Sequence, residues 1–119
     1  MKHNLGNRER LLHILEAIEN IESFLQSMGF DEFIGSKLHQ AATERQLEII
    51  GEATAAISDE LKAKYAEIEW QPIKGFRNVI AHEYFGISIQ ILWGVVQKEL
   101  PILKVQIQQI IKDLSQENP

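Results

Sequence analysis

Apolar residues recur at three- and four-residue steps through most of the chain, the repeat that places them on one face of an α-helix. Leu11, Ile14, Leu15, Ile18, Ile21, Leu25 and Met28 predict an amphipathic helix over about residues 7–27, stopped by Gly29, with Asp31 available to cap the next element. Leu38, Ala42, Leu47, Ile50, Ala53 and Ile57 predict a second long helix from about Ser36 to Ile57, with those residues as its buried stripe. Arg45, Glu48 and Glu52 share one flank of it. Ser58-Asp59 predicts the cap of a short third helix through Tyr65 that turns Leu61 inward, and Glu67-Ile68-Glu69-Trp70 reads as a connector.

Pro72 suits the first turn of a fourth helix, where its missing N–H is unpaired in any case; this helix is expected to end near Phe85-Gly86. Ser88 is placed to cap a fifth helix carrying Ile91, Leu92, Val95 and Val96. Pro101 predicts a kink or break, because proline removes one helical hydrogen bond and crowds the preceding turn. A last helix then runs through about Leu114, with Ile102, Val105, Ile110 and Ile111 as its apolar positions. No segment alternates with the two-residue period of a strand. The pattern predicts an all-α bundle of about five helices in a single domain over residues 1–119.

Composition narrows the chemistry. An apolar fraction of 45% is that of a packed globule rather than a disordered chain. With no cysteine, disulfides, thiolate metal sites and a cysteine nucleophile are excluded, which fits a reducing, cytoplasmic setting. The first residues, Met1 to Arg8, hold no apolar run of the signal-peptide kind, and no stretch approaches a membrane span. A net charge of −5 speaks against a non-specific nucleic-acid coat protein. A local positive patch, supplied by Arg77 and Lys74 and doubled by a second subunit, stays compatible with RNA binding.

The densest chemistry lies in Arg77-Asn78-Val79-Ile80-Ala81-His82-Glu83-Tyr84, an R-N-x-x-x-H-x-Y pattern within the fourth predicted helix. A helix turns by about 100° per residue, so Asn78 and His82 share one flank, Arg77 and Tyr84 share another, and Arg77 and His82 diverge by roughly 140°. A two-fold homodimer that sets two such helices side by side would bring guanidinium and imidazole together. A site of this kind supports RNA cleavage without a metal, because the 2′-hydroxyl attacks its own phosphate. His82 titrates near neutrality and can take or give the proton. Arg77 offers forked donors to a phosphate whose charge grows in the transition state, and Asn78 can orient the imidazole or donate to an oxygen. The products would be a 2′,3′-cyclic phosphate and a 5′-hydroxyl.

These residues resemble the HEPN superfamily and, within it, the HepT-like toxins of MntA–HepT toxin–antitoxin systems. The resemblance extends to Leu47-Glu48-Ile49-Ile50-Gly51-Glu52-Ala53, to Trp70 followed by Ile73-Lys74-Gly75-Phe76, and to Trp93, covering roughly Arg8 to Leu114. Phe76 departs from the methionine that many relatives carry. The resemblance implies a homodimeric endoribonuclease with its site at the subunit interface. It assigns catalysis to Arg77 and His82, with Asn78 as their polar neighbour. It makes Tyr84 the tyrosine to which a minimal nucleotidyltransferase antitoxin adds AMP. It implies no cofactor and no metal.

Blander readings stand beside these. Arg77, His82 and Glu83 could form a surface ion network, Asn78 a local cap, and Tyr84 an amphipathic packing residue. Glu48 and Glu52 are more readily a solvated helix flank, or a contact across a dimer, than paired catalytic carboxylates. His3, His13 and His39 show no ligand spacing and read as surface residues; Trp70 and Trp93 read as core or interface anchors. The competing function is a non-catalytic helical dimer that holds a nucleotidyltransferase or a nucleotide, a reading the net acidity keeps open.

Overall fold

A computed structural model describes residues 2–71 and 89–117, with side chains from residue 6 onward. The described residues are helical and contain no strand. The first helix, α1 (Lys2–Phe24), begins some five residues earlier than the periodicity predicts and ends three residues sooner. It buries Leu11, Ile14, Ile18, Ile21 and, just beyond its end, Leu25 as predicted; Ala17 joins them, while Leu15 and Met28 are only partly buried. Gly29 does not stop it. The chain leaves the helix through Ser27, which takes a left-handed φ of 65°, after Leu25 N–H donates to the Ile21 carbonyl at 3.0 Å.

Gly29 instead opens α2 (Phe30–Ile34) as its N-cap, and its N–H donates to the Glu32 carboxylate at 3.0 Å. Asp31 therefore lies inside the first turn and is not the cap. Glycine has no side chain to return the bond, so only this half of a capping box exists. Gln40 closes the other end of α2, its amide donating to the carbonyls of Phe33 and Ile34 at 2.9 and 3.1 Å.

Helix α3 (Lys37–Ala56) starts where predicted, with the Ser36 hydroxyl accepting from His39 N–H at 3.2 Å. Its buried face is Thr43, Leu47, Ile50, Gly51, Ala53 and Thr54, followed by Ile57. Leu38 does not join it; at 77% exposure it points to water. It lies in the first turn of α3, the helix that packs chiefly against α1.

Helix α4 (Asp59–Lys64) has Ser58 as its cap, the hydroxyl accepting from Leu61 N–H at 3.2 Å, and buries Leu61 as expected. Ser58 is also held from a distance. Its N–H donates to Asn7 Oδ1 at 3.0 Å and its hydroxyl accepts from Asn7 Nδ2 at 2.9 Å. Asn7 is only 3% exposed, so this pairing satisfies a buried amide and ties α1 to the start of α4.

After residue 88 the chain continues as α5 (Ile89–Gly94), a π-helical turn (Val95–Glu99) and α6 (Leu100–Glu117) without a break. The irregularity expected at Pro101 sits one turn earlier. Leu100 N–H reaches back five residues to the Val95 carbonyl, and the wider turn accommodates a ring that would crowd a regular helix. Leu100, Leu103, Ile107, Ile110 and Leu114 face the core. Ile102 and Val105, expected inside, are 63% and 65% exposed, and Ile91 is exposed too. Both faces of this segment carry apolar residues, and only the packing against α1 selects which is buried.

Candidate functional site

Arg77, Asn78, His82 and Tyr84 lie outside the described residues, as do Ile73, Lys74, Gly75 and Phe76 before them. What the structure places is the framework on both sides of this segment. On the entry side, α4 ends at Tyr65, whose N–H donates to the Leu61 carbonyl. The chain turns, buries Ile68, and returns to helical backbone at Trp70 and Gln71. The Tyr65 carbonyl accepts twice, from Ile68 N–H at 3.1 Å and from the Trp70 indole Nε1–H at 3.1 Å. Both of its lone pairs are thereby engaged.

The Tyr65 side chain reaches α6. Its hydroxyl donates to Asp113 Oδ2 at 2.6 Å, and Gln109 Nε2 donates to the second carboxylate oxygen at 2.8 Å. Lys64 pairs with Glu117 at 2.9 Å, and its ammonium lies 5.9 Å from the centre of the Tyr65 ring. Partial burial, followed by the bond to Asp113 and the negative charges around it, pushes the Tyr65 phenol well above its ordinary value. The hydroxyl of Tyr65 and the amide of Gln109 hold the Asp113 carboxyl below its ordinary value. No spacing rule links Tyr65 to Asp113, 48 residues away, so no local signal marks this pair.

On the exit side, Trp93 of α5 packs against the ring of Phe33 at 5.1 Å between centroids and edge-on against Phe30 at 5.9 Å. Phe33 is fully buried. The two tryptophans thus anchor the chain on either side of residues 72–88.

Other sequence candidates are structural. Arg45 and Glu48 form an exposed ion pair at 3.9 Å, and Glu52 is exposed on the same helix. His39 Nδ1 sits 2.6 Å from the Ser36 hydroxyl at the start of α3. His13 is exposed and lines an open cleft of about 340 Å³ with Glu9, Arg10, Ile49, Glu52 and Ala53. Among the described residues no group of three or more His, Asp or Glu is arranged to hold a metal, and no helix is long and apolar enough to cross a membrane.

Comparison with known proteins gives this framework its context. The sequence model of the family described as ribonuclease HepT-like matches residues 14–110. The chain belongs to this family. A probable ribonuclease HepT of Thermococcus cleftensis is 37% identical over 107 residues, 90% of this chain and 97% of that protein. A Methanocaldococcus jannaschii protein named a gamma-glutamylcyclotransferase and putative RNase is 39% identical over 104 residues, but the chain spans only 47% of its length. A putative RNase of Caldanaerobacter subterraneus is 34% identical over 105 residues, 88% of this chain and 94% of that protein. No solved structure gives a significant match. HepT-like membership agrees with the all-α fold, and the matched span runs across the whole R-N-x-x-x-H-x-Y segment.

Proposed function

We propose that the chain is an endoribonuclease that cleaves RNA without a metal ion, acting as a homodimer, and that it is the toxin of a toxin–antitoxin pair. The observation that carries this reading is the HepT-like match over residues 14–110, a span that includes Arg77, Asn78, His82 and Tyr84. Relatives that match this chain along 90% or more of their own length carry ribonuclease names.

In this reading the ribose 2′-hydroxyl oxygen attacks the adjacent phosphorus while the P–O5′ bond breaks. The 2′ proton is taken up as the bond forms, and a proton is delivered to the departing 5′ oxygen; His82 performs one of these transfers. Arg77 donates to the non-bridging oxygens, whose charge rises in the transition state. Asn78 orients the imidazole or donates to the same phosphate. Tyr84 is the site to which a minimal nucleotidyltransferase antitoxin transfers AMP from ATP: the phenol oxygen, losing its proton, bonds to the α-phosphorus as pyrophosphate leaves. The added bulk and negative charge beside the phosphate oppose RNA entry.

Purified protein is expected to cut RNA in the presence of EDTA, leaving 2′,3′-cyclic phosphate and 5′-hydroxyl ends, and to leave DNA intact. His82→Ala is expected to abolish cleavage; a fully active His82→Ala protein ends the proposal. Intact-mass spectrometry of protein co-expressed with a minimal nucleotidyltransferase is expected to show AMP-sized increments that map to Tyr84. Increments that map elsewhere remove Tyr84 from the regulatory scheme.

A further inference from the structure

We propose that Tyr65 is a positioning residue for the R-N-x-x-x-H motif, fixing through its phenol on Asp113 and its carbonyl on the Trp70 indole the point from which the motif segment departs. The proposal rests on the nuclease reading above and deepens it.

The geometry is that of a bracket. One residue joins the end of α4, the far half of α6 and the first helical residue before the motif. Its phenol is held by α6 and its carbonyl by the Trp70 indole, so a single residue links the two. Trp70 lies seven residues before Arg77 and twelve before His82. Cleavage depends on how closely guanidinium and imidazole meet one phosphate, and a misplacement of about 1 Å can cost up to ~100-fold in rate. Tyr65 and Trp70 pack against the edge of the core without being closed off by it. Ile68 is the buried residue in the turn, and Tyr65 and Trp70 remain partly open to water. The bonds of the bracket are directional, which suits placement more than bulk stability.

A purely stabilising role makes different predictions. Tyr65→Phe keeps the ring and loses only the hydroxyl. Asp113→Asn keeps an oxygen that the phenol can reach; Asp113→Ala does not. With a labelled RNA oligonucleotide and the purified full chain, Tyr65→Phe and Asp113→Ala are expected to lower kcat about tenfold with KM within about twofold. Asp113→Asn should stay within about twofold of wild type. The double variant Tyr65→Phe, Asp113→Ala should be no worse than either single change, because both break one device.

The indole N–H resonance of Trp70, assigned with a Trp93→Phe background, should shift and exchange faster in Tyr65→Phe and stay in place in Asp113→Asn. If the wild type cleaves RNA and the folded Tyr65→Phe and Asp113→Ala proteins cleave equally well, the positioning role is overturned while the nuclease reading stands. An Asp113→Asn protein as impaired as Asp113→Ala also overturns it, since charge rather than the bond would then matter. Wild-type protein that cleaves no RNA overturns the nuclease reading and the positioning role together.

Discussion

Where α1 packs on α3, Leu11, Ile14, Ile18 and Ile21 of the first and Leu47, Ile50 and Thr54 of the second are nearly all closed to water. Where α4 hands over to Trp70, Ile68 is buried, but the joins are the Tyr65–Asp113 bond, the indole–carbonyl bond and the Lys64–Glu117 pair. Apolar burial is non-directional and scales with area, so the first region supplies stability and tolerates small rearrangements. Hydrogen bonds add little net free energy but fix angles and distances, so the second region supplies placement. A chain of this size, with one apolar core, can keep the two functions in separate parts of the molecule.

The most damaging change is one that opens a cavity in the first region. Ile18→Ala should destabilise the protein by about 2–5 kcal/mol, the range for a fully buried aliphatic side chain. Cleavage per folded molecule should be unchanged, measured by urea unfolding and by activity corrected for the folded fraction. A loss of activity in excess of unfolding would erase the contrast.

Asn7→Ala tests a polar join set within the apolar half. It leaves Ser58 N–H without its acceptor beside the end of the core, and about 1–3 kcal/mol should be lost. A change near zero would mean that water replaces the amide.

A smaller effect is expected from pH. The folded Asp113 carboxyl lies below its ordinary value of 3.8, so its contribution is present above that pH and is lost as pH falls through the folded value. The folded Tyr65 phenol lies above its ordinary value of 10.0, so its contribution is complete below that pH and is lost as pH rises toward the folded value. The difference in Tm between wild type and Tyr65→Phe should therefore be flat from about pH 5 to 9 and shrink on either side. A difference that varies within that range would place the titration elsewhere. The α1–α3 contact has no such group among its buried residues, so Ile18→Ala should show no matching profile.

The exposed apolar positions of α6 should matter least. Ile102→Ser with Val105→Ser should change stability at low protein concentration by no more than about 0.5 kcal/mol, since neither side chain touches the core. A large loss would show that this face is covered.

Much of the fold was legible because a three- to four-residue apolar repeat has few other uses. It located α1, α3 and many of their core positions, and serine caps marked the starts of α3 and α4. The repeat failed where apolar residues occupy two faces. Ile102, Val105 and Leu38 match a helical stripe as well as Leu103, Ile107 and Leu47 do, and nothing local distinguishes them. The motif at Arg77–Tyr84 was legible as chemistry and, through the family match, as ancestry. The frame around it was half legible: Trp70 and Trp93 drew notice as anchors, whereas Tyr65, Asp113 and Asn7 did not.

The helical class, the identity of most core residues and the residue types available for chemistry all follow from the order of amino acids, because each depends on composition and on spacing along one helix. Three outcomes needed the assembled helices: which face of α6 is buried, that Asn7 reaches Ser58, and that Tyr65 meets Asp113 across 48 residues. They depend on how separate helices approach one another, and the reach of a side chain across that gap leaves no periodic trace along the chain.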